Sequence, residues 1–321
     1  MGWKGAMRSI DAASRAASRE ADRAYKQQMK RQIAADAAND VMAWQEQLSD
    51  LVSLHKNLIQ PFDWTAISHS QPPQLPVRLQ TRQQTAQSSL NSFKPKLLDK
   101  LWGGSQKRLV KLKSALSSAI DDDHKAHQLV CAEYEKKLAE YEADISISRR
   151  LAAGETDAIK EVISEMQTLS DAKYLCSSIS FQINSNFLHV KPNLFDTSIV
   201  PNFRRKQLAS GKLSETKMPV GEFNELYQDY VASAAFRIAG DMFNILLLDE
   251  VYVTCFAEML DTSTGHLDYT PILSVQFVRS TFKRLNLDAI DPSDALQNFN
   301  HVINFKRTKG FLKITPLQSL E

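Results

Sequence analysis

The chain has 321 residues, 43% of them hydrophobic and 24% charged. That length supports two domains with a sizeable core. A formal net charge of +2 excludes a globally cationic binder of nucleic acid or membranes and leaves only local patches to carry such a role.

Three cysteines, Cys131, Cys176 and Cys255, lie far apart at neither metal-ligand nor disulfide spacing, which fits reduced thiols in the cytoplasm. The basic, alanine-rich start lacks the apolar run of a secretory signal. The longest apolar stretch, Ile245–Leu248, falls far short of the roughly 20 residues that span a bilayer. The expected location is cytoplasmic, with membrane attachment disfavoured.

In chain order, the first sixty residues contain almost no glycine or proline and predict one helix from Trp3 to Leu58. Trp3, Met7, Ile10, Ala13, Ala17, Ala21 and Ala24 form a thin stripe that buries little area. From Ala34 the stripe strengthens through Ala37, Val41, Trp44, Leu48, Leu51, His55 and Leu58, a seven-residue repeat of coiled-coil type. Five prolines (Pro61, Pro72, Pro73, Pro76, Pro95) then break the pattern and predict a packed cap over about 59–104, with one short helix near Val77–Phe93.

A second long helix is expected from about Ser105 to Ala153, striped by Leu109, Leu112, Leu116, Tyr134, Leu138 and Ile145 and stopped by Gly154. Thr156 would cap a shorter helix reaching about Leu169. The simplest arrangement is a long antiparallel helical hairpin, a coiled-coil-like arm over 1–172.

Residues 173–321 predict an α+β domain with a mixed or antiparallel sheet and a central apolar helix. Ile179, Phe181 and Ile183 alternate into a hairpin that turns at Asn184-Ser185-Asn186 and returns through Phe187 to Lys191. A short strand near Ser198–Val200, a basic loop over 204–217, and an apolar helix Val220–Leu247 behind Pro219 follow. Val251–Ala257 and Ile272–Val278 are continuous apolar runs, as in strands buried on both faces. Ser280 and Asp291-Pro292 open short helices, and a last strand is expected at Gly310–Thr315.

No catalytic motif stands out. Phosphate-cradling glycine loops, a nucleophile elbow and a Glu-x-Lys nuclease strand are all missing from the sequence, and no cofactor is expected. The candidate acid/base residues are Asp229, His266 and Asp268, the last two in a turn between central strands. Asp229 and Arg237 sit in a very apolar helix and therefore need partners. Asp123 and His127, at i and i+4, are the candidate metal ligands, two short of a zinc set. Arg204, Arg205, Lys206, Lys212 and Lys217, with Lys306, Arg307 and Lys309, could hold an anion or nucleic-acid phosphates if the two clusters converge. A further basic run, Lys4 to Arg31, marks the first helix. Val41, Trp44, Leu48 and Leu51 are the candidate partner interface.

Taken together, Met1-Gly2-Trp3-Lys4-Gly5 before the Ala/Arg helix, Ser53-Leu54-His55-Lys56, Leu226-Tyr227-Gln228-Asp229-Tyr230-Val231 and Phe305-Lys306-Arg307-Thr308-Lys309-Gly310-Phe311 resemble a bacterial protein family with a long helical front half. The resemblance implies architecture and a bacterial cytoplasmic setting, and carries no activity. The expectation is a non-enzymatic interaction or scaffold protein whose helical arm engages a protein partner or a second copy of itself. The alternative is an anion- or nucleic-acid-binding α+β domain, including an enzyme of unfamiliar type.

Overall fold

The computed structural model describes residues 3–94, 104–166, 173–184, 187–260 and 264–317, with the side chains of 3–12 and 184 left aside. The expectations at Trp3, Lys4, Met7, Ile10, Pro95, Leu169, Ser185 and Asn186 lie outside the described residues or side chains. Two compact units result: Met1–Phe62 with Gly154–Glu321, and Asp63–Ala153.

Helix α1 spans Trp3–Val52, about 75 Å at 1.5 Å per residue. It stops short of Leu58 and gives way to a 3-10 turn, Leu54–Lys56. The cause is local: the His55 amide donates to the Ser233 hydroxyl (3.1 Å) and the Ile59 amide to the Asp241 carboxylate (2.8 Å). Both amides thus find acceptors outside the helix that the repeat would have continued. Before that stop, Ala37 and Leu51 are buried and the Trp44 indole donates to the Phe203 carbonyl at 3.1 Å.

In the unit Asp63–Ala153, helices α2 (Trp64–Ser68) and α3 (Thr81–Asn91) pack on α4 (Gly104–Ala152). The proline-containing stretch runs along α4 in the opposite direction. Ser148 donates to the Trp64 carbonyl (2.9 Å), Tyr141 to that of Ser70 (3.2 Å), and the Gln83 amide to Asp123 (2.9 Å). Helix α3 begins where it does because Asp123, buried on α4, supplies the acceptor that one of its first-turn amides lacks. Gly154, at φ +72°, ends α4 as expected.

The other unit continues with α5 (Thr156–Glu165), whose cap position is Glu155 rather than Thr156. Strands β1 (Ser178–Asn184) and β2 (Phe187–Asn193) form the expected antiparallel hairpin. Residues 197–199 make a 3-10 turn where a strand was expected, because the Asp196 carboxylate accepts the Ser198 amide. The expected basic loop is a hairpin, β3 (Phe203–Gln207) and β4 (Leu213–Lys217), turning at Gly211 with φ +81°.

Helix α6 (Val220–Ile245) leads to β5 (Glu250–Leu260), β6 (Leu267–Val278), α7 (Arg279–Phe282), α8 (Pro292–Ala295) and β7 (Asn300–Ile303). The expected last strand is only Gly310–Phe311 (β9), paired with Phe305–Lys306 (β8). The main sheet runs β1-β2-β5-β6-β7, with β2 and β5 parallel and the other pairs antiparallel, so the two apolar strands lie inside it. This is the α+β class with a mixed sheet and a central apolar helix. Val190, Val253 and Val275 share one face in register, and Phe277 of that face meets Phe236 of α6 at 5.0 Å between ring centroids.

Arg279 closes the C-terminal end of α6. Its guanidinium donates to the carbonyls of Phe243 (2.7 Å), Leu246 and Leu248, groups that the helix itself leaves unpaired, and stacks on the Phe243 ring. A hydrogen bond to a charged donor contributes about 1.5–3 kcal/mol net. Arg279→Ala is therefore expected to lower the unfolding free energy by about 3 kcal/mol, and Arg279→Lys to restore less than half of it, because an ammonium cannot fork to three carbonyls. Urea denaturation of the two variants measures both numbers.

Candidate functional site

Helix α1 changes character along one face. Setting Arg15 at zero and turning 100° per residue, Arg19, Arg23, Lys26 and Lys30 fall at about 40°, 80°, 20° and 60°. Ala37, Val41, Trp44, Leu48 and Leu51 occupy the same arc of about 80°. Past Ala34 this face is docked: Val41, Trp44 and Leu48 are half-buried and Leu51 is buried, packed on β3, β4 and α6. Before Ala34 every described side chain is exposed, from Ala13 through Ile33. The switch occurs at the β3–β4 turn, where the Gln207 amide donates to the Ala34 carbonyl and a Cβ on Gly211 would stand 2.9 Å from the Ala34 methyl. The candidate partner interface is thus occupied by the chain's own hairpin and core helix, and the exposed part of the helix is its basic part.

The two basic clusters of the α+β unit do converge, on the first turns of α6. Arg204 pairs with Glu222, and Arg307 lies 2.8 Å from Glu225. Arg205 is engaged by Glu215 across the hairpin at 3.0 Å. Three of the eight predicted cations are therefore matched to carboxylates. Lys206, Lys212, Lys217, Lys306 and Lys309 reach the surface, with Lys206 and Lys212 next to the residues that meet Ala34.

The acid/base candidates are not assembled. His266 and Asp268 are exposed beyond the Gly265 turn, with no hydrogen bond joining them among the described residues. Asp229 lies half-buried against Ser293, and burial first, then the neighbouring Asp291, Glu225 and Asp294, push its carboxyl up to about 6. Asp123 is spent on α3, and His127 faces Cys131 (Sγ to Nε2, 3.6 Å). No cluster of three or more metal-ligating side chains occurs among the described residues.

Two polar groupings escaped the sequence reading. A cavity of about 280 Å³ is lined by Asp50, Leu54, Asn57, Lys173, Tyr174 and Arg237. Arg237 Nε is held at 2.6 Å by the fully buried Asp241, whose carboxyl burial pushes up to about 6. Tyr174 takes a left-handed φ of 67° at the rim, a strained position for a bulky residue. The need of Arg237 for a partner was legible; the rim residues, distant in sequence, were not. On the sheet face turned away from α6, buried His189 bonds Thr254 (2.8 Å), which bonds Ser274 (2.8 Å), which accepts the Leu317 amide (3.1 Å). These polar residues lay hidden inside strands that read as apolar.

In comparisons with protein-family models, curated proteins and solved structures, nothing matches this chain.

Burial first, then Lys191, lowers the His189 pKa to about 4. The folded value lies below the unfolded one near 6.5, so the neutral ring's contribution is complete above pH 6.5 and is lost as pH falls toward 4. Asp229 and Asp241, raised to about 6, act in the opposite sense: their contribution is lost as pH rises through 6. His189→Gln is expected to remove the first effect alone. Urea midpoints at pH 5 and pH 7 should then show a higher pH 5 to pH 7 stability ratio in the variant than in the parent chain.

Proposed function

We propose that this chain is a non-enzymatic interaction protein of the bacterial cytoplasm, in which the exposed half of α1 engages a partner and the α+β unit is its anchor. The observation that carries the reading is the division of α1: residues 34–51 are docked in the fold, while 13–33 are exposed on every side. Helices of marginal propensity persist when one face is packed, so docking the second half also supports the first. Between Ala13 and Ile33 six Lys/Arg face two Asp/Glu. Among the described side chains, those of 13–33 are all exposed and bury none of the core, and recognition is the use that fits them.

The alternative, an anion site on the α+β unit alone, draws less support because Glu222, Glu225 and Glu215 already engage its arginines. Photo-cross-linking in living cells separates the two. A photoreactive residue at Ala17 or Ala24 is expected to yield discrete adducts, and one at exposed Glu258 none. Absence of adducts at 17 and 24, or equal adducts at 258, would contradict the reading.

A further inference from the structure

We propose that the basic face of α1 binds the phosphate backbone of a DNA duplex, with the helix lying in the major groove. The proposal rests on the reading of α1 as the partner-engaging element, and names the partner by its chemistry.

The face is built for charge alone. Arg15, Arg19, Arg23, Lys26 and Lys30 project within one arc over about 22 Å of helix. Protein interfaces take most of their binding energy from Trp, Tyr and Arg anchors packed together in desolvated pockets. Here the arc carries no large apolar side chain until Ile33, where the body begins. Asp22 borders the arc and Glu20 lies outside it, so the cations dominate the face. A polyanion with regularly spaced charges is the matching partner, because each neutralised phosphate releases counterions.

The opposite side decides between DNA and lipid. Ala13, Ala17, Ala21 and Ala24 lie roughly 160–240° from Arg15, and the polar Gln28 and Arg31 continue that side toward the body. A helix that rests on a membrane needs bulky residues such as Trp, Phe or Leu there. Trp3, Met7 and Ile10 continue this side at the far end of the sequence, but along 13–24 alanine gives no such anchor; it keeps the helix slim, and a helix with side chains is about 10–12 Å across against a major groove of about 12 Å. The deep, narrow major groove of A-form RNA would not admit it. At the body end, the Gln207–Ala34 bond sets Lys206 and Lys212 about one helical turn from Lys30, where a backbone leaving the groove would pass. Contacts from this face go to phosphates, so binding is largely independent of base sequence.

The test is a fluorescence-anisotropy titration of a labelled duplex of about 30 base pairs and mixed sequence with the full chain, at about 50 to 200 mM KCl. Five phosphate contacts predict a log–log salt slope of about −4.5, which is about 500-fold weaker binding across that interval. Arg19→Glu/Arg23→Glu/Lys26→Glu should lose at least roughly tenfold affinity at the lowest salt with helix content unchanged by circular dichroism, and the corresponding triple Gln variant should lose less. Lys306→Gln/Lys309→Gln should bind as the parent chain does. No binding at the lowest salt, a flat salt dependence, an unaffected triple Glu variant, or binding to anionic phospholipid vesicles in place of the duplex would each overturn the proposal. Protein adducts at Ala17 or Ala24 without duplex binding would overturn it and leave the interaction reading standing; absence of both would remove both.

Discussion

The described fold depends most on how a short non-helical segment is held against α6. Between His55 and Phe62, three backbone amides leave α1's own ladder and are taken by α6: His55 by Ser233, Ile59 by the buried Asp241, Phe62 by the Asn244 carbonyl. Asn244 returns a bond to the Ile59 carbonyl at 2.7 Å. Leu58 fills the notch at Gly240, where even a Cβ would stand 2.6 Å from its methyl. Buried polar groups cost free energy unless paired, so Ser233 and Asp241 in an otherwise apolar helix specify this one partner and this one register. The position of α1's end, and hence the course of the exposed helix, follows from it.

A second consequence lies in the ends of α6. Arg279 closes its last carbonyls, and Arg204 and Arg307 meet Glu222 and Glu225 on its first turns. The core helix is thus tied at both ends and along one side by charged or polar groups, while Phe236 carries the aromatic contacts to Phe277, Phe282 and Phe299. The cations that looked in sequence like an anion site are in part the clamps of this helix. Helix α1, by contrast, carries Arg19, Arg23, Lys26 and Lys30 exposed on one face.

Periodicity revealed the elements but not their neighbours. The stripe from Ala34 to Leu51 announced a docked helix, and the runs Val251–Ala257 and Ile272–Val278 announced interior strands, because burial writes itself into spacing. What covers a stripe is a long-range fact: Trp44 bonds Phe203, 159 residues away, and nothing near Trp44 in sequence says so. The β3–β4 hairpin read as a loop because its Arg and Lys residues mask the alternation of Phe203, Arg205 and Gln207. Its turn signal, Gly211, was the one available clue. The buried His189–Thr254–Ser274 chain stayed hidden for the converse reason, since small polar residues within an apolar strand leave its pattern intact. The exposed half of α1 was legible as weakly docked from its alanines, but its basic arc emerges only when helical angles are counted against the docked half.

Native-state hydrogen exchange of the His55, Ile59 and Phe62 amides tests the central claim most directly. If α6 holds this segment, the three amides exchange only through the opening that exposes the α6 core, and Asp241→Asn speeds all three together. Exchange of all three at the rate of residues 13–33 would contradict the account, since the segment would then be opening with the exposed helix rather than with the core.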